Sequence, residues 1–62
     1  MHQNPVASTM LVGAELIGNA EDRVLVEQVM RTVTNRSNVQ VLNVRPVVGS
    51  DGKTRAYEVD IR

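Results

Sequence analysis

The sequence predicts an α+β fold: a single small β-α-β-β domain, with one helix packed on one face of a three-stranded, mainly antiparallel sheet. Three observations predict it. Asp51-Gly52 stands between two alternating apolar runs, which is a strong hairpin signal. Apolar residues recur at helical spacing from Leu25 to Val33, and a further alternating run, Met10 to Ile17, precedes them. At 62 residues the chain holds one domain at most.

The first strand is predicted at Met10 to Ile17, after a polar leader at residues 1–8 that we expect to be flexible. The domain then spans residues 9–62. One strand face carries Met10, Val12, Ala14 and Leu16. The other face is mixed, and its Leu11 and Ile17 exceed what a sheet with a single buried side requires.

The helix is predicted from Ala20 to about Arg36. Gly18 ends the strand, and Asn19 is a suitable N-cap residue. The apolar positions share one side of the helix, while Asn35 supplies helix-stop chemistry. Val24 does not fit, because it falls in the middle of the polar side, where we expect either simple exposure or contact with a second subunit.

The register of the C-terminal hairpin follows from its turn, with the second strand at Val39 to Val48 and the third at Thr54 to Arg62. The predicted pairs are Leu42 with Ile61, Val44 with Val59 and Pro46 with Tyr57 on one face, and Arg45 with Glu58 and Asn43 with Asp60 on the other. A slip of one residue would move an apolar set onto the wrong face. The helix is expected over the face that bears Leu42, Val44, Val59 and Ile61.

Pro46 has no N–H group and therefore belongs on an edge strand. A four-residue loop, Ser50 to Lys53, closed by Gly49 and Thr54, would keep it out of a hydrogen-bonded pair. The third strand is then central, and the favoured strand order is 1-3-2. The alternative is order 3-2-1 with a parallel first pair.

Composition excludes several kinds of chemistry. Cysteine is absent, so disulfides and thiolate metal sites are excluded. The single histidine, His2, lies in the predicted leader, which leaves no positioned base, and we expect no enzyme activity. Glu58 and Asp60 share a strand face, but Arg45 and Asn43 opposite them explain both acids without a metal. No metal or other cofactor is therefore predicted.

Charge and hydropathy argue against nucleic acid and membranes as partners. The net charge is zero and Tyr57 is the only aromatic residue, so nucleic-acid binding is not favoured. No apolar run approaches the length of a membrane span, and the N-terminus lacks the pattern of a secretory signal. We expect a cytoplasmic protein.

Surplus apolar residues on the open sheet face and the polar helix side predict an interaction surface. The hypothetical interface comprises Leu11, Ile17, Val24, Val41, Arg45 and Val47. So small a domain with almost no aromatic core also needs extra stabilisation, which a partner can supply. The predicted function is a non-enzymatic protein-protein interaction module that associates with itself, docks on a larger protein as a regulator or inhibitor, or does both.

A second function follows from a family resemblance. Gly18 ends the first strand, and Asp51-Gly52-Lys53 is followed by Tyr57, Val59 and Ile61. With its strand order and length, the chain is similar in these features to dodecins, small β-α-β-β proteins that assemble into hollow flavin-binding shells. The resemblance implies an oligomeric carrier that holds a small ligand between subunits. Dodecins stack flavin on a tryptophan, which this chain lacks.

Overall fold

A computed structural model describes residues 8–62 as three strands and one helix. The elements are β1 (Ser8–Gly13), a 3-10 turn (Ala14–Leu16), α1 (Arg23–Thr34), β2 (Val41–Val48) and β3 (Thr54–Ile61). The predicted leader lies outside the described residues except for Ser8, which already belongs to β1.

The sheet has the predicted order β1-β3-β2, and both pairs are antiparallel. The central strand is β3, so β1 and β2 are the two edges and run parallel to each other. The helix α1 connects these edges across the sheet. Pro46 accordingly lies on an edge strand, where its missing N–H is tolerated.

The core forms between α1 and one sheet face. Met30 and Val26 of α1 and Val59 and Ile61 of β3 are the largest fully buried side chains. Val12, Ile17, Val39 and Val41 complete the buried cluster, and Met10, Ala20, Val29, Val44 and Tyr57 pack against it. Aliphatic side chains thus provide nearly all of the apolar burial that stabilises the fold.

The helix is shorter than predicted because it begins one turn later. Asp22, rather than Asn19, is the N-cap: it has an extended backbone, and its carboxylate accepts the Leu25 N–H at 3.2 Å. Asn19 instead accepts the N–H of Glu21 at 3.0 Å and forms the turn before the helix. Two residues of the type that caps helices lie three positions apart here, and only the second leads into helical backbone. The predicted stop is confirmed at Asn35, which adopts the left-handed conformation with φ 56°.

The first strand also ends earlier than predicted. After Gly13 the chain turns through the 3-10 segment, which breaks the two-residue alternation of a strand. Ile17 is therefore not on the open face but in the core, with 3% of its surface exposed. The expectation that it lies among the open-face residues is wrong for this reason.

The hairpin register is as predicted from Asn43 to Val47. On the N-terminal side of Asn43, a bulge in β2 changes it. Asn43 opposes Asp60, whereas Val41 rather than Leu42 opposes Ile61. The extra residue in β2 reverses the facing of the strand before it. Val41 is consequently buried, at 2% exposure, and its predicted place on the open face is wrong.

The hairpin loop has three residues, not four. The Gly49 N–H donates to the Lys53 carbonyl at 2.8 Å, and the Gly52 N–H donates to the Gly49 carbonyl at 3.0 Å. Gly52 has φ 82°, which suits a turn followed by a left-handed residue, a common form of three-residue hairpin loop. A register shift between Val47 and Val48 restores the pairing beyond the loop.

Candidate interaction surface

The sheet face that α1 leaves open is organised in three cross-strand rows. They are Thr9, Asp60 and Asn43; Leu11, Glu58 and Arg45; and Gly13, Ala56 and Val47, each in the order β1, β3, β2. The rows follow from the antiparallel register, because directly opposed residues project from the same face. This face therefore mixes charged and apolar side chains.

A hydrogen-bonded network connects the first two of these rows across the open face. Arg45 donates from Nη1 to Asp60 Oδ2 at 2.7 Å and from Nη2 to Asp60 Oδ1 at 3.1 Å. Thr9 Oγ1 donates to Asp60 Oδ1 at 2.6 Å. Arg45 Nε also approaches Glu58 Oε1 at 3.5 Å. These bonds leave Asp60 only 9% exposed, although it lies on the face that no helix covers.

Electrostatics within this network favour the charged forms. The Arg45 guanidinium and the Thr9 hydroxyl hold the pKa of the Asp60 carboxyl at about 2, below its usual 3.8. The hydrogen bond to Asp60 raises the pKa of Arg45. A carboxylate held ionised in this way is a poor proton donor or acceptor near neutral pH. The network links all three strands, because Thr9, Asp60 and Arg45 belong to β1, β3 and β2.

The β2 edge is protected against the addition of another strand. Arg23 Nη1 donates to the Val41 carbonyl at 2.6 Å, and Asn43 Oδ1 accepts the Val44 N–H at 3.0 Å. Pro46 has no N–H to offer. Side-chain caps and proline are means by which natural edge strands avoid pairing with other chains. The edge that the hairpin exposes is therefore a poor place for a partner strand.

Among the described residues, 8–62, nothing comparable protects the β1 edge. Its six residues, Ser8–Gly13, include no proline and no charged side chain. Within residues 8–62, no side chain forms a hydrogen bond with its backbone. Leu11 projects from the open face beside it with 68% exposure. A neutral strand with a free backbone edge is a template for pairing.

An apolar groove lies between α1 and the turn that follows β1. It measures about 260 Å³ and is lined by Leu16, Leu25, Gln28, Val29, Thr32 and Val33. Arg23 reaches β2 from one side of α1, whereas the groove joins the other side of α1 to the 3-10 turn that continues β1. We call the β1 edge together with this groove the β1 flank.

A second cleft of about 480 Å³ lies between the turn before α1 and the hairpin. It is lined by Gly18, Asn19, Ala20, Glu21, Val44, Pro46, Thr54 and Tyr57. Its lining mixes polar groups with apolar ones and includes the only aromatic residue of the chain. The volume lies within the range of small-molecule sites, which is about 300–1,000 Å³.

The six residues predicted as an interface do not form one surface. Ile17 and Val41 are in the core, and Arg45 belongs to the polar network. Val24 is 64% exposed on α1, while Leu11 and Val47 stand on the two edge strands of the open face. The interface hypothesis itself stays a prediction.

Sequence reasoning missed the groove. The sequence places Leu25 and Val33 on the apolar side of the helix and Leu16 on the apolar face of the first strand, which predicts that all three are buried. The helix side carries five apolar residues between Leu25 and Val33, but only Val26 and Met30 are buried. The width of that apolar side was the available signal for an additional contact.

Other kinds of site find no support within the part of the chain that the structure describes. No group of three or more histidine, cysteine, aspartate or glutamate side chains there could hold a metal ion. No helix in residues 8–62 is long and apolar enough to cross a membrane. In comparisons with known proteins, no family model matches the chain, and neither curated proteins nor solved structures are significantly similar to it.

Proposed function

We propose that this protein is a small non-enzymatic interaction module that associates with itself or docks on a larger protein as a regulator or inhibitor. The observation that supports the proposal is the β1 flank, where an edge strand leads into the turn whose Leu16 lines an apolar groove. Exposed apolar surface of this kind is typical of sites that bind other proteins. A chain without cysteine needs no oxidising compartment, which supports action in the cytoplasm.

Self-association also explains how so small an aliphatic core can be sufficient. Domains of about 60 residues bury only about 60% of their unfolded surface and are marginal alone. Leu16 and Val33 line the groove and remain exposed in the single chain. Covering them in an assembly would add apolar burial, at about 25 cal/mol per Å².

The mass of the protein in solution tests the proposal. We expect light scattering and sedimentation to give a mass above that of one chain, increasing with concentration between the micromolar and millimolar ranges. The melting temperature should rise over the same range, because association stabilises the folded state by mass action. A single-chain mass throughout, with an unchanged melting temperature, would contradict self-association.

The second cleft favours a further candidate function, a small-ligand carrier. Val44, Pro46 and Tyr57 provide apolar walls there, and Asn19 and Glu21 provide polar groups. Native mass spectrometry would detect a bound small molecule as added mass on the chain or its assembly. Because Tyr57 is the only aromatic residue, a change in its fluorescence on titration would place the ligand in this cleft.

A further inference from the structure

The two sheet edges differ in what they offer to another strand. The β2 edge has a capped carbonyl at Val41, a capped N–H at Val44 and no N–H at Pro46. The outward backbone groups of β1 have no comparable side-chain caps within residues 8–62. Backbone N–H and C=O groups are satisfied well by another strand. Strand addition is therefore directed to β1.

We infer that two copies of this chain pair antiparallel through their β1 strands, joining two three-stranded sheets into one of six strands. The inference rests on the proposed self-association and assigns it to a surface. An antiparallel pair of identical strands has a two-fold axis, so both copies use the same residues and the assembly closes as a dimer.

The facing of side chains determines where the axis lies. Residues directly opposite each other must project from the same sheet face. At the two-fold axis, a residue is therefore opposite its own copy and not opposite the copy of its neighbour in the chain. An axis at Leu11 sets that exposed side chain against its own copy and pairs Thr9 with Gly13 of the second copy. The most exposed large apolar side chain of the strand is then covered.

The same axis places the two grooves on one side of the joined sheet. Each α1 covers the face that bears Met10 and Val12, so both helices lie on the same face of the six-stranded sheet. Each groove joins Leu16, in the turn after β1, to the side of α1 away from Arg23 and β2, which directs it towards the second copy. A typical stable interface needs about 800 Å² from each partner, more than a six-residue strand edge supplies, so the grooves must contribute.

Charge supports a second copy as the occupant. A two-fold contact brings residues near their own copies, so a charged centre would oppose like charges. Neither β1 nor the groove lining contains an ionisable side chain. A corresponding contact centred on the open face near Arg45 would set that cation against itself. The neutral β1 flank avoids this repulsion.

Cysteine cross-linking tests the pairing, because the natural chain has no cysteine and a single introduced thiol is unique. In Leu11→Cys the two thiols would meet across the axis, where opposed Cβ atoms lie about 4.5–5.5 Å apart. We expect mild oxidation to produce a covalent dimer at concentrations where the wild type is dimeric. Val24→Cys is the matched control, since Val24 has similar exposure, 64% against 68%, but lies outside the β1 flank.

Charge insertion supplies a second measurement. We expect Leu11→Arg and Val33→Arg each to weaken dimerisation at least about tenfold, because each opposes or buries like charges at the contact. Val24→Arg should leave the dimerisation constant unchanged. Circular dichroism at low concentration verifies that the variants fold, which the exposure of Leu11 and Val33 permits.

The outcomes separate the inference from the proposed function. A wild type that is a single chain at all concentrations overturns self-association and the inference with it. A wild-type dimer in which Leu11→Cys cross-links no better than Val24→Cys, and which survives Leu11→Arg, overturns the inference alone. Preferential cross-linking of a Val47→Cys variant would then place the contact on the β2 side of the open face.

Discussion

Arg45 binds Asp60 diagonally across the sheet, past the residue that stands directly opposite it. The register pairs Arg45 with Glu58, yet the two shorter contacts, 2.7 and 3.1 Å, go to Asp60, and the contact with Glu58 is 3.5 Å. Diagonal neighbours in a sheet are within reach of a long side chain. The bidentate geometry gives Asp60 the better-matched partner.

The pH dependence of the free energy of unfolding should show the contribution of the Arg45–Asp60 ion pair. The pKa of Asp60 is lowered from 3.8 to about 2 in the folded state, so its contribution is fully present above pH 3.8 and is lost as the pH falls towards 2. We expect Asp60→Asn to remove part of the decline in urea midpoint over that interval. Glu21→Gln, at an exposed position, is the control. Parallel midpoint curves for the wild type and Asp60→Asn would contradict the assignment.

The bulge in β2 determines which of the neighbouring residues Val41 and Leu42 contributes more to stability. Because Val41 is buried and Leu42 is only partly so, Val41→Ala should destabilise the fold by about 1.5–3 kcal/mol and Leu42→Ala by less. A regular alternation without the bulge would reverse that order. Chemical denaturation of the two variants decides between the registers.

The N-cap of α1 is a third point to test. Asp22→Ala removes the acceptor of the Leu25 N–H and should destabilise the protein by about 1 kcal/mol. Asn19→Ala removes only an exposed turn contact, and we expect less than about 0.5 kcal/mol. Thermal unfolding can compare them. Equal losses would show that the helix begins nearer Asn19.

The left-handed residue at the end of α1 yields a fourth prediction. Asn35 has φ 56°, where a side chain with an ordinary Cβ is strained. We expect Asn35→Ala to destabilise by about 1 kcal/mol and Asn35→Gly to be close to neutral. Denaturation midpoints measure both, and an Ala variant as stable as the Gly variant would count against this backbone conformation.

Removing the protection of the β2 edge should create a new association. In an Asn43→Thr, Pro46→Val double variant, the Val44 N–H loses its cap and position 46 gains a donor. We expect assemblies larger than those of the wild type in light scattering. If the double variant keeps the wild-type mass at all concentrations, the caps do not control pairing at this edge.

Much of the fold could be predicted because its signals are local in sequence. Pro46 placed β2 at an edge, and with it the strand order 1-3-2, since proline cannot donate to a ladder. Asp51-Gly52 located the hairpin, and Asn35 marked the helix end. These features depend on backbone preferences of a few residues. These preferences do not depend on how the rest of the chain packs.

The candidate surface could not be predicted in the same way, because exposure depends on contacts between distant segments. Leu25 and Val33 belong to the apolar side of α1, but the sheet covers only the part that contains Val26 and Met30. The remainder opens towards Leu16 as the groove. The periodicity shows that a residue is apolar, not whether anything covers it.

The sequence by itself therefore determined the element types, the strand order and most of the hairpin register. Only the tertiary structure decided that Ile17 and Val41 enter the core and that Arg45 binds Asp60. The physical reason is that the bulge shifts the facing of β2 by one residue, while the 3-10 turn ends the strand alternation before Ile17. Packing against α1 selects these shifts, since they bury Val41 and Ile17 beside Val26 and Met30.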